Sequence, residues 1–593
     1  MREHWRAIVL LVRTAWRTDR SSAVGMLLEP LSFLRVPLIA WLLKVMADGA
    51  LRGDAHLLAA GAAGISATAV LMFAGMWVGT QFRMRLAEGV GFALNRQIAE
   101  LAAAAPGLEH HERADYQDRL ELLRQGHGAL GGALGALISA ANVVIMGVGT
   151  LAALAVASPW LLLVVPFALP AFPITAAEQR GFARAEERMA EPGRRFRYLQ
   201  RLTVDRDAGM ELRVFGVGPE VVSRLEDAWL ETRSHPTEAG RRAALRSMAG
   251  DLFFLAGFGA LVLVVLWRAG RGQATVGDVV MAIFLAQQVQ TAVVTPVQNV
   301  AGLGGVLRSA GRVLWVMDYT ERALAAARGI RPAPAALHDG IVFDRVSFRY
   351  PGTERWVLRD VSFRIPAGCV VALVGENGAG KTTLVKLLCR MYEPTGGRIL
   401  VDGTELAEFE VASWRARLSA AFQDFTRFEF TAREAVGVGD LPRMDDGGAM
   451  AASLERAGAA GVLDALPAGP ETQLGARWEG GVDLSTGQWQ KVALGRALMR
   501  EEPLVLFFDE PTASLDALAE HALFERYARA ARAGAGRGAV TVLVSHRFST
   551  VLAADLILVI DDGRVSELGS HDELMLRDGL YAELYRLQAR AYA

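Results

Sequence analysis

The feature that most constrains this chain is a glycine-rich turn, GENGAGKT at positions 375–382, placed between a predicted strand and a predicted helix. The residues before it, 370–374, form an apolar run that is typical of a buried strand. The glycines allow backbone N–H groups to curl around a phosphate chain, and a helix beginning at Lys381 adds the positive end of its dipole. Lys381 can reach the outer phosphates, and the Thr382 hydroxyl can bind Mg²⁺. The turn predicts a nucleotide site, although a lone match can also be a purely structural turn.

Two carboxylates downstream favour the nucleotide interpretation. Asp509 and Glu510 follow the apolar run 504–508, where one can hold Mg²⁺ through water and the other can polarise an attacking water. Taken alone, such a pair is often a solvated loop or a helix cap, but beside a phosphate-binding turn it indicates hydrolysis. His546 follows the next apolar run, 540–544, and a histidine at such a place, taken alone, is more often a surface residue than a phosphate contact.

The composition indicates that part of the chain lies in a membrane. Of its 593 residues, 52% are hydrophobic, and the mean hydropathy is +0.25, which is too apolar for an ordinary soluble protein. The formal net charge of −1 shows no basic excess, so no nucleic-acid partner is indicated. The two cysteines, Cys369 and Cys389, flank the glycine-rich turn, and we interpret them as reduced packing thiols in a cytoplasmic domain.

Six apolar stretches predict six membrane spans, since each is near or above the ~20 residues that a spanning helix needs. They lie near 22–47, 57–80, 129–157, 158–176, 247–267 and 279–300. The N-terminal stretch before them is predicted as an amphipathic helix in the membrane surface, because its arginines share one side and its apolar residues the next. These residues are Arg2, Arg6, Arg13, Arg17 and Arg20 on the first side, and Trp5, Ile8, Val9, Val12 and Trp16 on the second.

The charge of the connections predicts how the spans are oriented. The segments 81–128 and 177–246 are rich in arginine, whereas 48–56 and 157–159 carry little positive charge, so the arginine-rich segments are expected in the cytoplasm. Both segments are long enough to extend helices beyond the bilayer, and each is expected to contain a short crossing element, near 108–116 and near 205–216. An even number of spans leaves both termini on the cytoplasmic side.

Three charged residues within the predicted spans need a physical reason, because a charge is costly in hydrocarbon. They are Glu29, Arg35 and Lys44. We expect Lys44 to extend its ammonium outward to the membrane surface. Glu29 and Arg35 are interpreted either as functional groups or as members of structural ion pairs, and their spacing places them on different helix faces.

A change of composition near residue 320 divides the chain. We predict a transmembrane domain at 1–320, an alanine- and proline-rich linker at 321–340, and a soluble domain at 341–593. The soluble domain begins with the alternating apolar residues of half-buried antiparallel strands and continues with the apolar runs of a parallel α/β sheet. The fold class is therefore a helical six-span domain joined to an α/β phosphate-loop NTPase domain.

The order of motifs in the soluble domain resembles the ATP-binding cassette, and six preceding spans make the whole chain similar to a half-size ABC exporter. The motifs are Tyr350 in FRYPG, GENGAGKT at 375–382, Gln423 in AFQDF, LSTGQ at 484–488, LVLFFDE at 504–510, Ser514–Asp516, and His546 in VSHR. In the membrane half, ELRVFG at 211–216 is similar to the second intracellular loop of bacterial members.

The resemblance implies a role for each site residue. ATP and Mg²⁺ are the implied cofactors. The implied catalytic residues are Glu510 as the base, His546 on the γ-phosphate, and Gln423, and the implied metal ligands are Thr382, Gln423 and Asp509. The implied ATP-binding residues are Tyr350, stacked on adenine, together with Gly375, Asn377, Gly378, Gly380, Lys381, Thr382, Thr383, Ser485, Gly487 and Gln488. Ser485 and Gly487 would close over ATP bound to a second subunit, so dimerisation is expected to be part of the mechanism.

One position departs from the family pattern, because Thr486 occupies the place of the first glycine of the usual LSGGQ. A β-branched side chain is added where backbone must approach a phosphate, so the site is expected to be tuned or slower. Since Glu510 and His546 are both retained, we favour a homodimer, with a competent half of a heterodimer as the alternative.

A polar stripe on the predicted sixth span is the expected wall of a substrate cavity, and we select Gln287, Thr291 and Gln298 from it. Hydrogen bonds between helices are the alternative use of these amides and hydroxyls.

The expected function is ATP-driven export of an amphipathic or hydrophobic substrate, a modified peptide, drug-like molecule or lipid, across the cytoplasmic membrane. An ATP-gated channel or regulatory sensor without net pumping is the alternative. The chain is expected to be a multi-pass membrane protein surrounded by lipid, with its nucleotide-binding domain in the cytoplasm.

The orientation can be tested with single cysteines in a chain stripped of Cys369 and Cys389. Cysteines at Gly53 and Ser158 are expected to react with a membrane-impermeant thiol reagent added outside, because both lie in weakly charged outer connections. A cysteine at Ala114 is expected to stay unlabelled until the membrane is permeabilised. The reverse labelling pattern would overturn the six-span interpretation.

Overall fold

The computed structural model describes residues 2–31, 35–113, 116–117, 119–120, 123, 127–157, 159–188, 190–327, 329–509, 537–545 and 551–592. The chain divides into two compact units. The first consists of Met1–Leu101 and Arg119–Met317, and the second of Ala102–Asp118 and Asp318–Ala593. Each unit is described by itself below.

The chain up to residue 326 is helical in its described parts. In chain order the helices are α1 (Arg2–Thr18), α2 (Arg20–Gly25), α3 (Leu28–Leu31), α4 (Arg35–Arg52), α5 (Ala55–Ala104), α6 (Glu109–Glu112), α7 (His127–Ala157), α8 (Val165–Ala168), α9 (Ala171–Arg188), α10 (Ala190–Val204), α11 (Arg206–Val214), α12 (Gly218–Gly270) and α13 (Val276–Ala326), with a 3₁₀ turn at Pro159–Val164. The short helices α6 and α11 lie where the sequence predicts crossing elements. Helix α6 and the end of α13 belong to the second unit.

Several of these helices are apolar over lengths that suit a bilayer. Among the described residues, three stretches are long and apolar enough to cross a membrane, namely Ala55–Ala104, Gly135–Ala155 and Ala244–Gly270. Two shorter apolar stretches are Leu162–Glu178 and Val276–Val289. The three long stretches overlap the predicted second, third and fifth spans. The total of six spans and their boundaries remain predictions.

Helix α1 is amphipathic, as predicted. Its buried side is made of small and medium apolar residues spaced four apart, Ala7, Leu11 and Ala15. Trp5 and Trp16 are exposed instead, at 67% and 49% of their surface. Exposed tryptophan side chains such as these two are suited to contact lipid at the membrane surface.

Two ion pairs explain charges in the predicted first span. Glu29 accepts from Arg83 at 2.9 Å, which supports the structural interpretation of this carboxylate. Lys44 lies 2.5 Å from Asp278 in the first turn of α13, so its ammonium is paired with a carboxylate, and its extension towards the outer membrane surface stays a prediction. The same carboxylate accepts from the Thr275 backbone at 2.8 Å. A charge paired in this way avoids the cost of isolation in hydrocarbon. The side chain of Arg35 lies outside the described residues.

Helix α13 separates its apolar and polar residues in the part that is described. Leu285, Ala286 and Val289 are buried in the core of the first unit, whereas Gln287 is exposed. The side chains of Thr291 and Gln298 lie outside the described residues, so their place on a substrate cavity stays a prediction.

The second unit contains two sheets. Their strands are β1 (Gly340–Phe348), β2 (Leu358–Pro366), β3 (Val370–Val374), β4 (Gly396–Val401), β5 (Thr404–Glu405), β6 (Leu418–Ala421), β7 (Val505–Asp509), β8 (Val540–Val544), β9 (Leu556–Asp561) and β10 (Arg564–Gly569). One sheet is antiparallel with the order β2-β1-β4-β5. The other has the order β10-β9-β3-β8-β7-β6, and all of its neighbouring pairs are parallel except β9 with β10. This confirms the predicted fold class of the soluble domain.

The parallel strands are covered on both faces, as their continuous apolar sequences predict. Every residue of β3, β7 and β8 is buried. Along β3, Val371 and Leu373 belong to one hydrophobic core and Val370, Ala372 and Val374 to the other. The helices described around the sheets are α14 (Lys381–Leu388), α15 (Val411–Arg415), α16 (Ala432–Gly437), α17 (Gly447–Arg456), α18 (Ala460–Asp464), α19 (Thr486–Ala497), α20 (His571–Arg577) and α21 (Leu580–Tyr592), with 3₁₀ turns at Leu406–Glu408, Leu441–Arg443 and Gly469–Glu471.

The segment 105–113 contacts helices α14 and α15 of this unit and the residues that follow α14, mainly through backbone groups. The Leu108 N–H donates to the Met391 carbonyl at 3.1 Å, and the Arg415 guanidinium donates to the Pro106 carbonyl. Lys386 lies 3.5 Å from the carboxylate of Glu112. These contacts hold the crossing element α6 in place.

His110, within α6, is buried at 3% exposure against the rings of Tyr116 and Tyr319. Burial, with a smaller contribution from the neighbouring His111, lowers the pKa of His110 from 6.5 to about 4. The imidazole is therefore neutral in the folded chain at neutral pH.

We expect this histidine to make the second unit sensitive to acid. The unfolded chain takes up the proton more readily than the folded one, so the contribution of His110 is fully present above pH 6.5 and is lost as the pH falls towards about 4. In thermal unfolding of the full chain at pH 7.5 and pH 5, His110→Phe should show a smaller acid-induced drop of Tm than the native protein. His338→Phe, at an exposed histidine, is the control. Equal drops in all three proteins would contradict the assignment.

Candidate nucleotide site

The candidate site lies at one edge of the parallel sheet. The carboxyl ends of β3, β6, β7 and β8 all point to that edge because the strands are parallel. The glycine-rich turn follows β3, Gln423 follows β6, and Asp509 ends β7. These groups line a cleft of about 530 Å³. Its lining also includes Tyr350, Arg355, Trp356, Val357, Asn377, Gly378, Gly380, Lys381, Thr382, Thr383, Val544, Asp562 and Gly563.

The glycines of the turn are required by the backbone. Gly375, Gly378 and Gly380 have φ angles of 153°, 84° and 109°, which L side chains rarely adopt. A Cβ at Gly375 would lie 2.2 Å from the Ile560 carbonyl oxygen, and one at Gly380 would lie 2.7 Å from Leu358. Other residues at these two positions would displace the turn from the neighbouring strand ends.

Lys381 is held inside this turn at the first residue of α14. Its side chain is buried at 7% exposure, and its Nζ donates to the carbonyls of Gly375 at 2.7 Å and Glu376 at 2.9 Å. The ammonium and the positive end of the helix dipole therefore face the same space. This arrangement attracts the oxygens of a polyphosphate.

Thr382, Gln423 and Asp509 offer three oxygen groups to the cleft. Thr382 and Gln423 are exposed to it, while Asp509 is buried at 3% exposure. Hydroxyl, amide and carboxylate oxygens are the hard ligands that Mg²⁺ takes together with phosphate oxygens and water. The residues present therefore fit a magnesium ion bound with a nucleotide.

Tyr350 lies in the cleft, with its ring fixed by neighbours. Phe348 and Tyr392 contact it edge-on at ring distances of 5.1 and 5.4 Å, and its hydroxyl lies 3.1 Å from the hydroxyl of Thr383. The sequence interpretation missed Trp356, which also lines the cleft and is 39% exposed. Its position six residues after Tyr350, in the same loop, is the signal that could have identified it.

Two predicted catalytic residues, Glu510 and His546, lie outside the described residues, and so does Ser514–Asp516. The structure places their preceding neighbours, Asp509 and Ser545, at the ends of β7 and β8. The roles of Glu510 and His546 stay predictions.

The LSTGQ segment forms the start of α19. The Ser485 side chain accepts from the Gln488 N–H at 3.3 Å, and the Gln488 side chain accepts from the Ser485 N–H at 2.9 Å, which makes a capping box. A Cβ added at Gly487 would have no atom of the described residues within 4 Å, so none of these residues covers the start of the helix at this point. Thr486 is exposed. Ser485, Gly487 and Gln488 do not line the cleft formed by the described residues of their own chain.

Comparisons with known proteins agree with this geometry. A family model described as ABC transporter matches residues 358–513. A relative from Bordetella avium (strain 197N), named ATP-dependent lipid A-core flippase, is 33% identical over 447 residues, which is 73% of this chain and 71% of that protein. A relative of the same name from Alkalilimnicola ehrlichii is 40% identical over 271 residues, which is 46% of this chain and only 43% of that protein.

A solved structure of a bacterial Atm1-family ABC exporter with ATP bound has a similar fold. It is 25% identical in sequence, the TM-score is 0.74, and the match covers 96% of this chain and 98% of that chain. The likeness therefore extends over both the helical part and the two-sheet part.

The stacking role of Tyr350 can be tested by nucleotide binding. Tyr350→Ala is expected to weaken binding of a fluorescent non-hydrolysable ATP analogue by about 5- to 100-fold, since stacking on a base is worth roughly 1–3 kcal/mol. Tyr350→Phe keeps the ring and loses only the contact with Thr383, so it should bind nearly as well as the native protein. If Trp356→Ala has the large effect and Tyr350→Ala has none, the base stacks on Trp356.

Proposed function

Because this chain belongs to the ABC transporter family and has the fold of a half-size exporter, we propose that it hydrolyses ATP to export a lipid-like amphipathic substrate across the cytoplasmic membrane. The observation that carries the proposal is the cleft in which Lys381, Thr382, Gln423 and Asp509 meet at one sheet edge. That set of groups binds the phosphates and supplies the ligands of a metal.

Several groups of the cleft, and the two residues Glu510 and His546 that follow its strands, have a task in the proposed hydrolysis. Lys381 places a positive charge where negative charge accumulates on the outer phosphates, and the backbone N–H groups of the turn hold the chain of phosphates in line. Thr382, Gln423 and Asp509 would hold a Mg²⁺ ion together with the nucleotide, and the ion would neutralise part of the negative charge of the phosphates. Glu510 takes the proton of the attacking water, and His546 contacts the γ-phosphate.

A second subunit completes the site. Ser485 and Gly487 stand at the open N-terminus of α19, away from the cleft of their own chain, and a helix N-terminus is suited to bind phosphate. A second copy can place this helix start over the nucleotide, so that ATP lies between two chains. The retained Glu510 and His546 favour a homodimer, with a competent half of a heterodimer as the alternative. Thr486 then lies beside the partner's nucleotide, where its bulk tunes turnover.

The proposed substrate class rests on two relatives and on the helical unit. The relatives from Alkalilimnicola ehrlichii and Bordetella avium, matched over 43% and 71% of their own length, are named lipid A-core flippases, and we extend a lipid-like substrate to this chain on that basis. Gln287, Thr291 and Gln298 would offer neutral hydrogen bonds to the polar part of the substrate, while the apolar helices accommodate its chains.

Transport can be tested in liposomes that contain the purified chain and a fluorescent lipid with a large polar headgroup. We expect ATP-dependent movement of the lipid and lipid-stimulated ATPase activity. Glu510→Gln should bind ATP but hydrolyse it at least ~100-fold more slowly, since a general base contributes that much or more. Glu354→Gln, at a fully exposed glutamate of the same domain, is the matched control.

Two outcomes would contradict the proposal. Hydrolysis without any movement of lipid, drug-like or peptide substrates would indicate the alternative, a regulatory sensor or ATP-gated channel. Near-normal turnover of Glu510→Gln would remove Glu510 from the role of catalytic base while leaving the transport result to stand by itself.

A further inference from the structure

A second cavity of the two-sheet unit lies at the opposite edge of the parallel sheet. Its volume is about 310 Å³, and none of its lining residues belongs to the nucleotide cleft. The lining includes Arg417, which precedes β6, Leu504, which precedes β7, and Ala539, which precedes β8. The cavity is therefore built from the amino ends of three parallel strands.

Four arginines surround this cavity, Arg417, Arg456, Arg500 and Arg537. Three of them are held by backbone carbonyls. Arg417 Nη2 donates to Ala335 at 2.7 Å, Arg456 Nη2 to Leu498 at 2.8 Å, and Arg500 Nη1 to Arg415 at 2.6 Å. A carbonyl orients a guanidinium but does not cancel its charge.

The carboxylates of the cavity are already engaged at its rim. Glu502 pairs with Arg537, and Glu501 lies 2.8 Å from Arg443, which also bonds Asp440. Among the described residues, Arg417, Arg456 and Arg500 have no carboxylate within ion-pair distance. The cavity thus has an excess of positive charge at every physiological pH, because arginine does not lose its proton in that range.

The bonds to backbone carbonyls use only part of the hydrogen-bonding capacity of these arginines. A guanidinium has five N–H donors, and Arg456 uses one nitrogen in the bond described above. The Arg417 Nε is buried without an acceptor among the described residues. Burial lowers the pKa of Arg500, and the negative charge of Asp440 offsets only part of this effect, so the guanidinium is poorly solvated.

The floor of the cavity strengthens any charge interaction made within it. Leu504, Leu506 and Val540 line it and are buried. Apolar walls lower the local dielectric constant, so an anion between guanidinium groups is bound more strongly than in open water. The forked geometry of guanidinium matches phosphate oxygens in particular.

We propose that this cavity binds a compact phosphate-bearing anion. The volume is near the lower limit of small-molecule pockets, roughly 300–1,000 Å³, which favours a ligand such as a diphosphate or a small phosphorylated metabolite. The ligand links Arg456 at the end of α17 with Arg417 and Arg537 at the strand ends, and so it ties the helices to the sheet. This role is independent of transport.

Pyrophosphate is a suitable probe, provided that the nucleotide cleft is blocked. The full chain is placed in phosphatidylcholine nanodiscs and saturated with Mg²⁺ and a non-hydrolysable ATP analogue, and pyrophosphate is titrated by calorimetry. We expect one site per chain, weakened by added salt. Arg456→Gln and Arg500→Gln should each weaken binding about tenfold or more, as loss of a charged hydrogen-bond donor to an anion predicts.

Two further variants separate binding from folding. Glu502→Gln releases Arg537 from its partner and should tighten pyrophosphate binding, a gain that a damaged protein cannot produce. Arg364→Gln, at an arginine that is 60% exposed on β2, should change nothing. Adding phosphatidic acid to the nanodiscs shows which kind of phosphate the cavity binds. If phosphatidic acid competes with pyrophosphate, the natural ligand is a lipid headgroup, and if it does not compete, the ligand is a soluble anion.

The proposal is overturned if pyrophosphate does not bind to the analogue-loaded chain, or binds equally to the native protein and all cavity variants. The proposal is also overturned if Arg456→Gln and Arg500→Gln no longer bind the ATP analogue and Glu502→Gln binds pyrophosphate no more tightly than the native protein. The arginines would then serve only to bond the backbone carbonyls and stabilise the fold.

Discussion

The parallel pairing of β3, β8, β7 and β6 is the interaction on which the two-sheet unit depends. Because these neighbouring strands run in the same direction, every chain segment that leaves a carboxyl end enters the same region of space. Lys381, Gln423 and Asp509 are distant in sequence and meet for this reason alone. The same pairing gathers the amino ends on the other side, where the arginines lie. The same strand pairing thus places the nucleotide cleft at one edge of the sheet and the arginine-lined cavity at the other, and both present positive charge that suits phosphate oxygens.

The sequence was sufficient wherever a pattern is local. The apolar runs before Gly375 and within Val505–Phe508 became buried strands, and the glycines of the turn have the backbone angles that only glycine adopts easily. Alternating residues at the start of the soluble domain became the antiparallel pair β1 and β2. In each case a few neighbouring residues contain the whole physical constraint.

Long-range partners could not be predicted in the same way. Lys44 and Asp278 are 234 positions apart, and Glu29 and Arg83 are 54 apart, so no periodicity connects them. The segment 105–113 is held partly through the backbone carbonyl of Pro106. Every residue carries such an acceptor, so no residue type in the sequence predicts this contact. Trp356 was missed because a single aromatic residue in a loop has many possible uses.

Ser485, in the capping box at the start of α19, is subject to two requirements, helix capping and the proposed binding of nucleotide. Helix formation alone would accept serine, threonine, aspartate or asparagine at position 485, since all four cap a helix well. A carboxylate there would repel a phosphate. The serine hydroxyl can accept from the helix backbone and donate through the same atom, whereas an asparagine amide would have to donate from its separate nitrogen, which lies at a different position. If Ser485 binds the nucleotide of a second chain, as proposed, fewer substitutions are tolerated at this position for nucleotide binding than for folding, and an aspartate variant would fold as a normal helix and still fail to bind.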